Sequence, residues 1–142
     1  MRILIDTCII IDALQNREPF NQNAQEIFLL AANRKFDGFI TAKSVTDIYY
    51  LTHRLTHNDR ATRDILSRLF KLFDLADTAG TDCKYALSSE ISDYEDAVMI
   101  ETALRTQMDA IVTRNTKDYS KSVVSVLTPD ELIRKIAEEE NE

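Results

Sequence analysis

The chain has 142 residues with 24 acidic against 17 basic side chains, a net charge of −7, which is enough length for one domain with a real core and too much acid for a generic nucleic-acid binder. Its 44% hydrophobic and 29% charged residues are ordinary for a globular protein, and no stretch approaches the ~18 consecutive apolar residues of a membrane span. The N-terminus enters a strand without the pattern of a secretory leader, and Cys8 and Cys83 lack metal-ligand spacing, so a cytoplasmic protein with reduced thiols is expected.

Arg2-Ile3-Leu4-Ile5 carries consecutive aliphatics without alternation, the pattern of a strand buried on both faces. It stops on Asp6-Thr7. At the carboxyl end of a parallel strand Asp6 lies where α/β folds place ligands, although Asp and Thr are also ordinary N-caps for the helix that follows. That helix is Cys8 to Leu14, broken by Asn16 to Pro19. Phe20 to Lys35 is a longer helix, with Ala24, Ile27, Phe28, Ala31 and Ala32 on one face. A turn and a short strand cover Phe36 to Thr41. The next helix runs from Thr41–Ser44 to about Leu55 on a stripe of Val45, Ile48, Leu51 and Leu55, and Asp47 borders that stripe.

Asn58 or Asp59 caps a helix to about Phe73. Between Arg54 and Lys71 five basic residues face two acids, as on the polar face of a helix or on a surface for a polyanion. Leu75 to Ala79 is a weak strand ended by Gly80, and Thr81 to Ser89 a short helix. Ser92-Asp93-Tyr94-Glu95 has the form of a capping box with Ser92 as N-cap, which gives Glu95 a structural task. Asp96 then heads the apolar line Ile100, Ala103 and Gln107, so it points at the core edge. Asp109 to Thr113 is a second uninterrupted strand and opens into Arg114-Asn115-Thr116-Lys117-Asp118-Tyr119. Val123 to Leu127 is the last strand. Thr128-Pro129 starts a terminal helix, and residues 138–142 form an acidic, fraying tail beyond a single domain of residues 1–137. Strands alternate with helices throughout, so the fold class is α/β: a mostly parallel sheet of four or five strands with helices on both faces.

Asp6, Asp47, Asp96 and Asp118, with Asn115 in the same loop as Asp118, are acids and amides in unusual places, and most have no Lys or Arg beside them in sequence. Carboxylates gathered without a cation raise one another's pKa. A divalent ion resolves the conflict, and all-oxygen ligands select Mg²⁺ or Mn²⁺ over zinc. His53 and His57, the only histidines, lack the Glu of an HExxH motif. There is no Gly-rich phosphate loop and no GxSxG elbow.

Asp6-Thr7 after the first strand, Asp47 in the third helix, Asp93-Tyr94-Glu95-Asp96-Ala97, and Val112-Thr113-Arg114-Asn115-Thr116-Lys117-Asp118-Tyr119 together resemble the PIN-domain nucleases, in particular the VapC-type toxins. The resemblance spans essentially the whole chain. It implies a sheet of order 3-2-1-4-5 and a Mg²⁺- or Mn²⁺-dependent endoribonuclease cutting single-stranded RNA, with Asp6, Asp47 and Asp96 as the acidic triad. Asn115 stands where many members carry a fourth Asp, so either Asn115 or Asp118 completes the ligand set. Asp47 stands where a longer Glu is more usual. Thr7 and Thr113 would support the carboxylates, and Arg54, Arg114 and Lys117 would meet RNA phosphates. The resemblance further implies a cognate antitoxin and a homodimer. A PIN-like scaffold that binds RNA or a protein without cutting is the alternative.

Overall fold

In the computed structural model, which describes residues 1–142, the first strand β1 (Arg2–Ile5) is the centre of the molecule. Ile3, Leu4 and Ile5 are 0–1% exposed, as an unalternating aliphatic run on a sheet covered from both sides requires. β1 pairs in parallel with β2 (Asp37–Thr41) on one side and β4 (Ala110–Val112) on the other, and β3 (Asp74–Ala76) and β5 (Ser125–Leu127) complete an all-parallel sheet of order β3-β2-β1-β4-β5. The strand order is the one the resemblance implied, and the sheet has five strands.

Successive β1 side chains feed two cores. Ile3 and Ile5 enter a core with Ile9, Ile10, Ile27, Ile48 and Phe73, contributed by α1 (Thr7–Leu14), α2 (Asn21–Ala32), α3 (Ala42–Thr56) and the end of α4 (Asp59–Leu72). Leu4 enters the opposite core with Ile111, Ala97, Ile100 and Ala103, under α5 (Gly80–Ala86) and α6 (Tyr94–Arg105). Each buried aliphatic contributes about 1.5–3 kcal/mol. α7 (Pro129–Glu140) returns to the first core through Leu132 and Ile136. No helix is long and apolar enough to cross a membrane.

One glycine is fixed by packing. A Cβ on Gly38 would lie 2.6 Å from Phe73 Cδ1 and 3.1 Å from Phe36 Cε2, so the β2 backbone approaches the two aromatic rings more closely than any side chain allows.

Several boundaries differ from expectation, each for a local reason. Asn58 is the N-cap of α4, its side chain accepting from the Ala61 amide at 2.9 Å. Gly80 opens α5 rather than closing β3, because Asp82 turns back to the Ala79 amide at 2.9 Å and fixes the helix start there. Leu55, expected on the buried stripe of α3, is 63% exposed, and the stripe is Ser44, Ile48 and Thr52. The basic run after Arg54 is largely the polar face of α4, with Arg63 on Asp59 at 2.8 Å and Arg68 on Asp64 at 3.1 Å. The acidic residues 138–140 form the last turn of α7, where Glu140 pairs with Lys35 at 2.7 Å.

Candidate functional site

The sheet brings the ends of β1 and β4 and the first turns of α1 and α6 to one edge. Asp6 occupies the N-cap position of α1, yet its side chain makes no capping bond. The carboxylate is held instead by the Thr113 hydroxyl, which donates to Oδ2 at 2.7 Å, and by the Cys8 thiol at 3.6 Å. Burial pushes the Asp6 pKa up, against the lowering effect of those two donors. The Cys8 thiol is itself pushed up to about 11 by burial and by Asp6; it stays protonated at neutral pH and supplies no nucleophile.

Asp96 lies in the first turn of α6 and is held from below. Its Oδ1 accepts the Tyr119 hydroxyl at 2.9 Å. Burial, then the fields of Asp93, Asp6 and Asp118, raise its pKa to about 6, while the Tyr119 hydrogen bond acts in the opposite sense. Asp6 and Asp96 are thus two carboxylates from different elements within each other's field, and neither forms an ion pair.

The N-cap of α6 is Asp93, not Ser92: Asp93 Oδ1 accepts from the Asp96 amide at 3.0 Å. The cap therefore falls one residue later than the capping-box reading placed it. Glu95 is not consumed by the cap and instead borders an open cleft of about 530 Å³ together with Asp6, Thr7, Asp47, Tyr50, Leu51 and Arg54. Lys43 at the start of α3 reaches Glu95 and stands 3.8 Å from Asp47. Lys43, one turn ahead of Asp47 on α3 and far from Glu95 in sequence, thus supplies a cation to both. Arg54 lines the same cleft two turns further along α3.

The segment after β4 departs most from expectation. Thr113 is fully buried and also accepts the Asn115 amide at 3.2 Å. Asn115, Lys117 and Asp118 are exposed on the 3-10 turn Thr116–Tyr119 or beside it. Arg114, expected to meet RNA phosphates, has a partner within the chain: its guanidinium donates to Asp12 at 2.7 and 3.3 Å and lies 4.0 Å over the Phe20 ring. Asp12 is 0% exposed, and a buried carboxylate requires a partner. Sequence periodicity had no means of singling out Asp12 in the middle of an otherwise apolar helix as the partner of a loop arginine about a hundred positions away.

The five-residue ligand set expected from the sequence is not gathered into one cluster, since no three His, Cys, Asp or Glu side chains converge closely enough to hold an ion together. What the fold brings together is the pair Asp6 and Asp96, with Asp118 acting on Asp96 through its field, and Asp47 and Glu95, which line the cleft with Asp6 and share Lys43. Glu95 and Tyr119 were not singled out as site residues. A shift of the N-cap by one residue would have freed Glu95, while Tyr119 read only as part of a motif. The histidines take no part: His53 stacks on Tyr49 with ring centroids 5.6 Å apart, and His57 ends α3.

The family described as the PIN domain matches residues 2–117. Among solved structures the chain is similar to a toxin–antitoxin complex from Klebsiella pneumoniae, at 25% identity over 89% of this chain and 97% of that one with a TM-score of 0.63. It is similar in fold to FitAcB from Neisseria gonorrhoeae, at 21% identity, 89% and 97% coverage and a TM-score of 0.64. It also shares its fold with VapBC2 from Rickettsia felis bound to a promoter DNA fragment, at 15% identity, 90% and 98% coverage and a TM-score of 0.62. No curated protein matches the chain in sequence.

Proposed function

The chain belongs to the PIN-domain family, and from that membership we propose that it is a Mg²⁺- or Mn²⁺-dependent endoribonuclease that cuts single-stranded RNA as the toxin of a toxin–antitoxin pair. The observation that carries this reading is the pair Asp6 and Asp96. Both carboxylates are pushed toward their neutral forms by burial, Asp96 also by the field of Asp6 and Asp6 by that of Glu95, and neither has an ion-paired cation. Mg²⁺ usually keeps several waters and is bound through one or two carboxylates plus substrate phosphate, so two convergent acids fit such an ion even though a third does not join them. When bound, the ion lowers the pKa of a water and neutralises charge on the leaving oxygen.

The chain's own residues do the rest. Thr113 orients Asp6. Asp47 and Glu95 line the cleft, and Lys43, which contacts both, keeps them from repelling a phosphate outright. Asp118, whose field reaches Asp96, and exposed Asn115 are the proposed outer acid and amide. Arg54 in the cleft and exposed Lys117 are the cations placed to meet a polyanion, offsetting the net charge locally. Purified protein incubated with mixed single-stranded RNAs and Mn²⁺ should cleave, and cleavage should vanish in EDTA and in Asp6→Asn. Equal cleavage in all three would indicate a contaminant, and none in any would remove the nuclease reading.

That last outcome would favour a second reading, a PIN-like scaffold that binds without cutting. Its support is that Asp47 and Glu95 are engaged by Lys43 and that no three acids converge.

The similar toxin–antitoxin complex makes an antitoxin the proposed protein partner, and a homodimer is proposed through α3 and α4. There Tyr50 and Leu55 are 64% and 63% exposed, beside a groove lined by Val45, Thr46, Tyr49, Arg63 and Leu66. Exposed apolar groups gathered in this way mark protein contacts. Sedimentation at tens of micromolar should show a dimer that Tyr50→Asp with Leu55→Asp returns to monomer, and a monomeric wild type would reject the interface.

A further inference from the structure

The geometry points to Tyr119 as a positioning residue for Asp96, its buried hydroxyl fixing which carboxylate oxygen is turned toward Asp6. The inference rests on the proposed metal-dependent reading. Tyr119 is 3% exposed, its ring packed in the core beneath α6 with Met99 and Ala97. A buried phenol must find a hydrogen-bond partner. Here the partner is not a backbone carbonyl but Oδ1 of Asp96, at 2.9 Å, with Met99 Sδ a weaker contact at 3.6 Å. Occupying Oδ1 leaves Oδ2 free for a ligand.

A second donor from the same short segment treats the other acid in the same way, the Thr113 hydroxyl holding Asp6 Oδ2 at 2.7 Å. Asp6 and Asp96 come from the end of β1 and the first turn of α6, which share no backbone hydrogen bond that would align their side chains. Segment 113–119 aligns them. The segment is in turn fastened between its two donors by the Arg114–Asp12 ion pair and by the stacking of Arg114 on Phe20. The arrangement orients the acid pair before any ion arrives, which lessens the rotamer entropy lost on binding. A phenylalanine at this position would fill the same space and leave Asp96 free to turn.

The test is Tyr119→Phe, which deletes one oxygen and conserves the ring. Mn²⁺ alone is titrated calorimetrically into wild type, Tyr119→Phe and Met99→Leu, the last removing the weak Sδ contact and perturbing the packing around the ring while leaving the Tyr119 hydroxyl in place to donate to Asp96. The expected result is Mn²⁺ affinity about 10–100-fold weaker in Tyr119→Phe and unchanged in Met99→Leu. In RNA cleavage, raising Mn²⁺ should restore the Tyr119→Phe rate with KM for RNA unaltered, a split that a merely structural role would not produce. Equal affinity in Tyr119→Phe and wild type overturns the inference, as does a loss that Met99→Leu reproduces. Absence of Mn²⁺ binding by the wild type removes the metal-dependent reading itself, and the role of Tyr119 with it; equal binding in a wild type that does bind removes only the latter.

Discussion

Replacing Arg114 by alanine should lower the melting temperature by roughly 6–12 °C, from a loss of about 3 kcal/mol. The reason is Asp12, which is 0% exposed and whose ion pair is with Arg114, through Nε at 2.7 Å and Nη2 at 3.3 Å. Removing one partner leaves an uncompensated buried carboxylate, the costly way to break such a pair. The figure is taken at the low end of the usual range because the Arg114 side chain keeps 26% of its exposure and water can reach part of the site. Arg114→Lys should recover only part of the loss, since an ammonium cannot reproduce the fork on Asp12 or the plane over Phe20. Asp12→Leu combined with Arg114→Met should restore most of it, because replacing both charges by apolar groups removes the burial cost along with the attraction. Urea unfolding of the three variants beside the wild type checks this; an Arg114→Ala protein as stable as wild type would show that the pair holds nothing. Arg54→Ala is the contrast, a cleft-lining cation without an ion-pair partner, expected to leave stability alone and to lower the salt slope of RNA binding by about 0.7.

The case of Arg114 shows where a sequence can and cannot be read. The strand order followed from the resemblance, and the alternation of unalternating aliphatic runs with amphipathic helices already pointed to a parallel sheet, because that pattern has a local cause in each segment. Asp6 was legible for the same reason: a carboxylate ending a doubly buried strand has few places to go. Asp96 was legible from its position at the head of an apolar line. Arg114 and Lys117 sit three apart in one loop and look equivalent in sequence, yet one is fastened to a buried acid of α1 and the other is exposed. No local pattern separates them, since the difference is made by a contact between residues far apart in the chain. Glu95 is a different failure, one of local competition. Ser92 and Asp93 are both good caps, and the choice of Asp93 decides whether Glu95 turns back to the helix end or out to the cleft and Lys43. Glu95 of α6 and Asp47 of α3 also share one cation, Lys43, and the contact with Glu95 spans 52 positions of the chain.

The substitution Asp96→Asn should separate function from stability, abolishing metal-dependent cleavage while making the metal-free protein more stable at neutral pH. Asp96 has its pKa raised to about 6, by burial first and then by the fields of Asp93, Asp6 and Asp118. A carboxyl whose pKa is higher in the folded than in the unfolded chain, where it is near ~3.9, favours folding when protonated. Its contribution is complete below the unfolded value and is lost as pH rises through 6. The metal-free wild type should therefore melt at progressively lower temperature between about pH 4 and 7 as far as this group decides. Asparagine carries no charge, and its carbonyl can still accept the Tyr119 hydroxyl. At pH 7 in EDTA, Asp96→Asn should gain on the order of 1 kcal/mol, the partial exposure of the site having weakened the charge–charge terms. That corresponds to roughly 3 °C for a chain of this size. Asp6 is raised in the same direction, so some pH slope should persist in the variant. Adding Mn²⁺ should reverse the order, raising the melting temperature of the wild type by binding the folded state and leaving Asp96→Asn unchanged. Calorimetric scans at pH 5, 6 and 7, with EDTA and with Mn²⁺, decide the matter. If Asp96→Asn melts below wild type in EDTA at pH 7, the acid pair is not under electrostatic strain. A cation would then have no electrostatic reason to sit between Asp6 and Asp96.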